Sequence, residues 1–370
     1  MLELVDFGKS YDGVNAIQNV SFNVNEDEYL TLLGPSGSGK TVLLRLIAGL
    51  DRPDTGRIIL NGQDITTMPT HLRGIGFVQQ KYALFPHMSV RQNISFGLIN
   101  HHSSPIRDEK KVNYLCDEML DIVGLSGLAD RGVGQISGGQ KQRVSLARTL
   151  VTKPKLCLLD EPLGALDANL RERMTVELRD IRTTLGVSFI HVTGNEDEAL
   201  GMGDRMIVLD KGCVIQIEEP NKLFAMPASV KVARHVNSYN ILSGSTENNS
   251  FVFADYKLPM AAYAKSAAFY VVGIDKVTIE KVGSVKRKAK DIASFEAKFV
   301  DAEFMGSRVV YQFELADGQI FEVERHLSRE TPVDYKAGEV RCLSWKAADV
   351  LAFASDGGLI NENAKIRGTV

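Results

Sequence analysis

Apolar positions in the first half of the chain come as short runs, many with Gly, Asp or Pro close by, separated by stretches of helical periodicity. Tyr29–Leu33, Ile58–Leu60, Ile75–Val78, Leu156–Leu159, Ser188–Val192 and Met206–Leu209 are short enough and apolar enough to predict buried strands. Val42–Leu50 crowds Leu43, Leu44, Leu46, Ile47 and Leu50 on one side and predicts a helix. Lys110–Val123, Gly139–Val151 and Asn169–Thr184 read the same way. Strands alternating with helices imply a covered, largely parallel sheet.

After about Asn237 the texture changes. Ser243–Ser250 is rich in Gly, Ser, Asn and Thr, and short alternating runs follow at Val271–Ile274, Phe295–Phe299, Val309–Phe313 and Ile320–Val323. Asp317-Gly318 between the last two is a hairpin signal. The pattern predicts a boundary near residue 236: an α/β domain over 1–236 and a small β domain, a barrel, over 237–370.

Composition narrows this picture. At ~150 residues per domain, 370 residues predict two or three domains. Apolar residues at 44% and charged residues at 24% exclude wholesale disorder. A net charge of −3 gives no basic field for nucleic acid. Leu258–Ile274 is interrupted by Lys265 and is too short to span a bilayer. The start of the chain carries Glu3, Asp6 and Lys9 rather than a secretory pattern. Secretion and membrane insertion are therefore not expected. Cys116, Cys157, Cys213 and Cys342 lie far apart and predict reduced thiols rather than a metal site. The basic run Lys286, Arg287, Lys288 and Lys290 has no interleaved aromatics and reads as a solvated loop.

Chemistry enters at Gly34-Pro35-Ser36-Gly37-Ser38-Gly39-Lys40-Thr41, followed by Val42, which fits GxxxxGK[ST] between a predicted strand and a predicted helix. Glycines let successive backbone N–H groups face phosphate oxygens, and the helix adds its partly positive N-terminus. Lys40 can reach the β- and γ-phosphates, and the Thr41 hydroxyl can ligate Mg²⁺. The chain is thus expected to bind a nucleoside triphosphate. A second cluster, Leu156-Cys157-Leu158-Leu159-Asp160-Glu161-Pro162, is an apolar strand ending in two acids. In a parallel sheet it delivers those carboxylates to the edge that holds the phosphate loop. Asp160 suits Mg²⁺ and Glu161 suits activation of a water. In a third element, Ile136-Ser137-Gly138-Gly139-Gln140, Ser137 can cap the following helix and the glycines leave N–H groups exposed. One triphosphate does not need two such devices from one chain, so the second is expected to serve a nucleotide on another subunit.

Together these motifs resemble the ATP-binding-cassette (ABC) ATPases of bacterial importers, the group that includes maltose, polyamine and ferric-ion uptake, and the resemblance covers nearly the whole chain. It implies an α/β P-loop NTPase cassette, a mixed sheet with helices on both faces plus a helical subdomain, followed by a small β-barrel of the oligonucleotide-binding-like (TOBE) type. It also implies an ATPase, a translocase subunit, using ATP and Mg²⁺. On the resemblance, Tyr11 stacks on adenine and Gln80 is the Q-loop glutamine, sensing Mg²⁺ and the γ-phosphate. Ser137, Gly138, Gly139 and Gln140 form the signature loop acting in trans, and Asp167 belongs to the D-loop crossing the dimer interface. The segment from Tyr82 to about Gly97 helps form the groove for a permease's coupling helix. Implied partners are transmembrane permease subunits, a second ABC ATPase subunit (the same chain or a related one) and, indirectly, a solute-binding protein, with no nucleic acid. The implied location is peripheral, on the cytoplasmic side of the cell membrane. Phe304-Met305-Gly306-Ser307-Arg308, Leu315–Gly318 and Leu343-Ser344-Trp345 resemble the polyamine and iron branch, so a polyamine-like or other organic solute is expected, with sugars or polyols as the alternative.

One position departs from the family. After Ser188–Val192 the family's Thr-His-Asp becomes Thr193-Gly194-Asn195, and glycine offers nothing to a γ-phosphate. His191 lies three positions back, ~10 Å along a strand and of opposite parity to position 194, and reads as a packing residue. Losing one charge-stabilising group typically costs ~10²–10³ in rate. Three readings stay open: slow hydrolysis sustained by Lys40, Mg²⁺ and Glu161; a heterodimer in which this chain completes a partner's intact site; or Gln80 or a water in the missing role. A non-hydrolysing regulatory subunit is a further rival, as is a soluble cassette ATPase of DNA repair or translation. The latter is disfavoured by the single phosphate loop and the lack of a long heptad run.

Overall fold

The computed structural model describes residues 1–360 except Ser103, Ala165, Asp167, Asn249, 261–263, Lys265 and 284–290. The basic run at 286–290 therefore lies outside the described residues. The chain divides into two compact units, Met1–Leu223 and Phe224–Val370.

The first unit runs β1 (Leu2–Tyr11), β2 (Val14–Val24), β3 (Tyr29–Leu33), α1 (Lys40–Ala48), β4 (Thr55–Leu60), β5 (Gln63–Asp64), β6 (Ile75–Val78), α2 (Val90–Ile99), α3 (Glu109–Ile122), α4 (Gly138–Leu150), β7 (Leu156–Asp160), α5 (Ala168–Leu185), β8 (Ser188–Thr193), α6 (Glu196–Met202), β9 (Arg205–Asp210) and β10 (Cys213–Glu218). Every predicted strand and helix is present, with ends displaced by a few residues. The main sheet has the order β10-β9-β3-β8-β7-β6. Its members run parallel from β9 to β6, and only β10 is antiparallel, which makes the sheet mixed.

The period of two sorts side chains between two cores. Leu156 and Leu158 of β7 join Leu30 and Leu32 of β3 and the Leu43, Leu44, Leu46 and Ile47 face of α1 in one cluster. Cys157 and Leu159, with Tyr29 and Phe189, pack in the other cluster with α2, α3, α4 and α5. Each fully buried Leu of this kind contributes ~1.5–3 kcal/mol before entropy is charged against it.

A second, antiparallel sheet of order β2-β1-β4-β5 was not expected from the sequence. The reason is visible in β1. Leu2 and Leu4 alternate with exposed Glu3, but Asp6 takes φ 48° and the register slips between Leu4 and Phe7, which breaks the alternation. Helix α2 was also not foreseen, although Ser89 and Gln92 make a reciprocal capping box at its start.

The second unit is built from antiparallel strands: β11 (Tyr239–Ser243), β12 (Ser245–Glu247), β13 (Ser250–Phe253), β14 (Tyr256–Pro259), β15 (Phe269–Gly273), β16 (Thr278–Glu280), β17 (Ile292–Phe304), β18 (Arg308–Glu314), β19 (Ile320–His326), β20 (Val340–Lys346), β21 (Val350–Phe353) and β22 (Leu359–Ile360). They form sheets of order β11-β15-β21-β22, β12-β13-β14 and β16-β20-β17-β18-β19, so that after a short helix at Val230–His235 the C-terminal part is built of β-sheets, as expected. Strands β18 and β19 pair across the predicted turn, where Gly318 adopts φ 83° and its N–H donates to Leu315. Phe295, Phe321 and Trp345 form the aromatic centre, and the Trp345 indole N–H donates to Tyr270 Oη at 3.0 Å. No helix among the described residues is long and apolar enough to cross a membrane.

Candidate active site

Parallel order decides where the chemistry gathers. Strands β3, β8, β7 and β6 are neighbours pointing the same way, so the segments that follow their C-terminal ends share one edge of the sheet. Those segments are the phosphate loop, Gly194, Glu161 and Gln80.

The phosphate loop is shaped by its glycines. Gly37 and Gly39 have φ 79° and 102°, which other residues rarely adopt. At Gly34 a Cβ would stand 2.3 Å from the Leu209 carbonyl oxygen, and at Gly39 2.6 Å from that of Ala16, so β9 and β2 press on the loop. Pro35, Ser36 and Gly37 are exposed, Ser38 and Lys40 are buried, and Val42 packs at the margin of the α1 core. Lys40 Nζ donates to the carbonyls of Gly34 and Pro35 at 2.8 and 2.9 Å, folding back over the loop. Burial pushes its ammonium below the usual range, while Glu161 and Asp160 pull it back up. Ser38 Oγ is fully buried and has no hydrogen-bond partner among the described residues. A buried cation with exchangeable contacts and an orphaned hydroxyl beside a helix N-terminus fit a triphosphate.

Next to it, Thr41 Oγ1 donates to Asp160 Oδ1 at 3.0 Å. Burial pushes the Asp160 carboxyl above the usual range, opposed by the Thr41 bond and augmented by Glu161. Glu161 takes φ 46°, unusual for a glutamate, with its N–H donating to Val192 at 2.9 Å. Such backbone conformations cost ~1–3 kcal/mol and gather at working sites. Gln80 Nε2 donates to Glu161 Oε2 at 2.6 Å, so the ends of β6 and β7 are bridged by the two residues expected to act together. A hydroxyl, a carboxylate and an amide oxygen are the hard oxygen donors that suit Mg²⁺.

The sequence also placed Ser137, Gly138, Gly139 and Gln140 at a helix start, and Ser137 caps α4 in a reciprocal box with Gln140. Ser137 and Gly138 are exposed, whereas a Cβ on Gly139 would meet Leu170 at 2.6 Å. Tyr11, 41% exposed, ends β1 with its hydroxyl 3.2 Å from Asp51. Asp167 lies outside the described residues.

Sequence reasoning missed the groups that hold the Gln80 loop. Tyr82 and Ala83 both have positive φ, and α4 grips them. Ser145 Oγ donates to the Tyr82 carbonyl at 2.8 Å, and Arg148 donates to the carbonyls of Ala83 and Tyr82 at 2.7 and 3.3 Å. Buried Asn93 accepts from Phe85 N–H at 2.9 Å and donates to the Ser89 carbonyl at 3.0 Å. Nothing local in the sequence marks these residues, because their partners are backbone atoms 4 to 66 positions away.

At the β8 end the pattern reverses. Gly194 is exposed, and a Cβ there would meet nothing within 4 Å among the described residues. The polar neighbours are already engaged. Thr193 Oγ1 donates to Glu198 at 2.7 Å, and Asn195 Oδ1 caps α6 by accepting from Glu198 N–H. His191 is fully buried against the Tyr29 hydroxyl at 2.8 Å and Glu198 at 3.6 Å, consistent with a packing residue.

The chain also resembles known proteins in sequence and fold. A family model described as ABC transporter matches residues 17–164, and one described as TOBE domain matches residues 275–353. The chain is 38% identical to the spermidine/putrescine import ATP-binding protein PotA of Nitrosospira multiformis, over 87% of this chain and 90% of that protein. It is 43% identical to the sulfate/thiosulfate import ATP-binding protein CysA 2 of Agrobacterium fabrum, over 70% of this chain and 76% of that one. Among solved structures, the dimeric post-hydrolysis state of the ATP-binding cassette MJ0796 bound to ADP and Pi aligns at TM-score 0.54 and 31% identity, covering 60% of this chain and 99% of that one.

Proposed function

The chain belongs to the ATP-binding subunits of ABC importers, an ATPase family with a TOBE domain, and from that premise we propose how its own residues bind ATP, engage Mg²⁺ and drive uptake. Tyr11 stacks on the base. The N–H groups of Gly37 to Thr41 cradle the phosphates, and Lys40 leaves the Gly34 and Pro35 carbonyls to pair with the β- and γ-phosphate oxygens. Thr41, Asp160 and Gln80 would hold Mg²⁺, which when bound offsets phosphate charge. Glu161, released from the Gln80 amide, accepts a proton from the attacking water. The exposed Ser137-Gly138 loop faces the triphosphate of a second ATPase subunit, and Asp167 lies on that interface. Closure pulls on permease subunits through the Tyr82–Gly97 segment, placing the protein on the cytoplasmic side of the membrane as a peripheral subunit. A solute-binding protein acts indirectly, and nucleic acid plays no part.

The observation that supports this most directly is the convergence of Lys40, Thr41, Asp160, Glu161 and Gln80 at one sheet edge. The likeness to PotA, together with the CysA likeness, favours a small charged solute over sugars or polyols, and we take a polyamine as the first candidate. The test is proteoliposomes holding the co-purified transmembrane subunits. ATP should drive uptake of labelled spermidine or putrescine, with sulfate and maltose as comparisons. ATP-independent uptake overturns the motor reading, and uptake of sulfate or maltose alone overturns the solute.

Gly194 supports a second reading, in which this chain turns over poorly at its own site and completes the site of a related partner. Thr193 and Asn195 bond Glu198 and His191 is fully buried against Tyr29, which favours the view that none of these three takes the place of a histidine at 194. Co-purification of a second, non-identical cassette would support it, and a fast-hydrolysing homodimer would sink it.

A further inference from the structure

Tyr11 is framed on two sides by ion pairs. Its ring closes β1 at the Asp12-Gly13 turn and is 41% exposed. Lys9, two residues back and so on the same strand face, places Nζ 5.2 Å from the ring centroid. That ammonium is anchored on Asp54 Oδ1 at 2.8 Å, and Asp54 Oδ2 accepts from Ser10 N–H at 2.7 Å. At the far end of the ring, Tyr11 Oη donates to Asp51 Oδ2 at 3.2 Å. The same carboxylate takes Arg45 Nε at 2.7 Å and Nη2 at 3.5 Å. Arg45 sits in the last turn of α1, the helix whose first residues are Lys40 and Thr41.

The charges suit the geometry. The Arg45 bond holds the Asp51 carboxyl below the usual range, so it stays an acceptor. Burial and the Asp51 charge push the Tyr11 phenol up, so it stays a donor. A lone tyrosine at an exposed strand end would lose rotamer freedom on stacking, and a prior tether removes that loss from the binding step. Lys9 covers one ring face and polarises it, leaving the opposite face to a flat ligand.

We propose that Asp51 and Arg45, with Lys9 and Asp54 behind the ring, are positioning residues that hold Tyr11 as a one-faced stacking platform for the nucleotide base. This rests on the reading of Tyr11 as the base contact. It makes α1 a two-ended device, binding phosphate at its first turn and fixing the base platform at its last.

The test is calorimetric titration of the full-length chain with MgATP and with inorganic tripolyphosphate, which lacks a base. Tyr11→Phe keeps the ring and deletes the tether, and Asp51→Ala deletes the other half. Each should weaken ATP about three- to ten-fold, the scale of re-immobilising one side chain. The double variant should be no worse than the worse single one. Tripolyphosphate affinity should not change in any of them. Equal losses for ATP and tripolyphosphate, or wild-type ATP affinity in both single variants, overturn the proposal. Tyr11→Ala separates the two levels. If it weakens ATP while Tyr11→Phe and Asp51→Ala do not, the frame fails and the base contact stands. If it leaves ATP affinity unchanged, the base contact itself is wrong.

Discussion

Strands β3 and β8 are adjacent and parallel in the same sheet, yet they deliver opposite things to the same edge. The β3 end is crowded: glycines admit β9 and β2 to contact distance, Lys40 is folded onto two carbonyls, and Ser38 Oγ waits unpaired. The β8 end is open at Gly194, where the flanking Thr193 and Asn195 both spend their side-chain oxygens on Glu198. The contrast separates two jobs that a nucleotide site performs. On the proposed reading, holding phosphate depends on the β3 end, which is complete, whereas steadying the reacting phosphate draws on the β8 end, which is depleted. Binding and turnover should therefore respond to different substitutions.

The largest effect is expected from Glu161→Gln. Removing the proposed general base should lower phosphate release by ~10²–10⁴-fold while ATP affinity stays near wild type, read by single-turnover hydrolysis and calorimetry on the same preparation. A loss of affinity as large as the loss of rate would erase the proposed division of labour. Lys40→Ala is the converse. Charge-assisted bonds of ~1.5–3 kcal/mol are lost with the ammonium, so ATP binding should weaken by about 10²-fold. Unchanged affinity would remove the phosphate loop from the account.

Gly194→His sharpens the comparison by refilling the depleted end. The open space and ordinary backbone at 194 accept a side chain, and the gain in kcat should reach at least about ten-fold, within the ~10²–10³ that one charge-stabilising group supplies. ATP affinity should move little. An unaltered kcat would mean that another group already serves the reacting phosphate, with Gln80 the first candidate.

The same two strands show what is legible in a sequence. The phosphate loop is local: its eight residues carry their own geometry, so spacing alone revealed it. The acids after β7 were legible because an apolar run ending in Asp160-Glu161 says where the strand stops. Five strands of the main sheet followed from short apolar runs between helices, although β10 did not and Ile58–Leu60 belongs to the other sheet, and the strand-rich character of the C-terminal unit followed from short runs and the Asp317-Gly318 turn. What escaped was held together over distance or out of phase. The bulge at Asp6 scrambled β1, and the grip of Ser145 and Arg148 on the Gln80 loop joins residues more than sixty positions apart through backbone carbonyls. The frame behind Tyr11 is of the same kind, since Asp51 and Arg45 acquire meaning only when α1 brings them to the end of β1.

The smallest expected effect tests what the open loop stands on. Glu198, four residues beyond Gly194, accepts from Thr193 Oγ1 at 2.7 Å, pairs with Arg171 of α5 at 3.2 Å and faces His191 of β8 at 3.6 Å. Burial alone would raise its carboxyl, but His191, Thr193 and Arg171 outweigh it and the group titrates below the usual range. A carboxyl depressed on folding contributes stability that is complete above its unfolded value of ~4.3 and is lost as pH falls through the folded value. Glu198→Gln should therefore destabilise the cassette by about 1–3 kcal/mol at pH near 7, the scale of a buried charged acceptor. Far-UV circular dichroism in urea reads this, because the long helices belong to the first unit, and the penalty should shrink as the pH is lowered below ~4. Trp345, the single tryptophan, lies in the second unit, and its fluorescence gives an independent reference for any change confined to the cassette. If the penalty is the same at both pH values, neutral packing rather than charge holds the floor of the open end. The contrast between the β3 and β8 ends would then be one of shape alone.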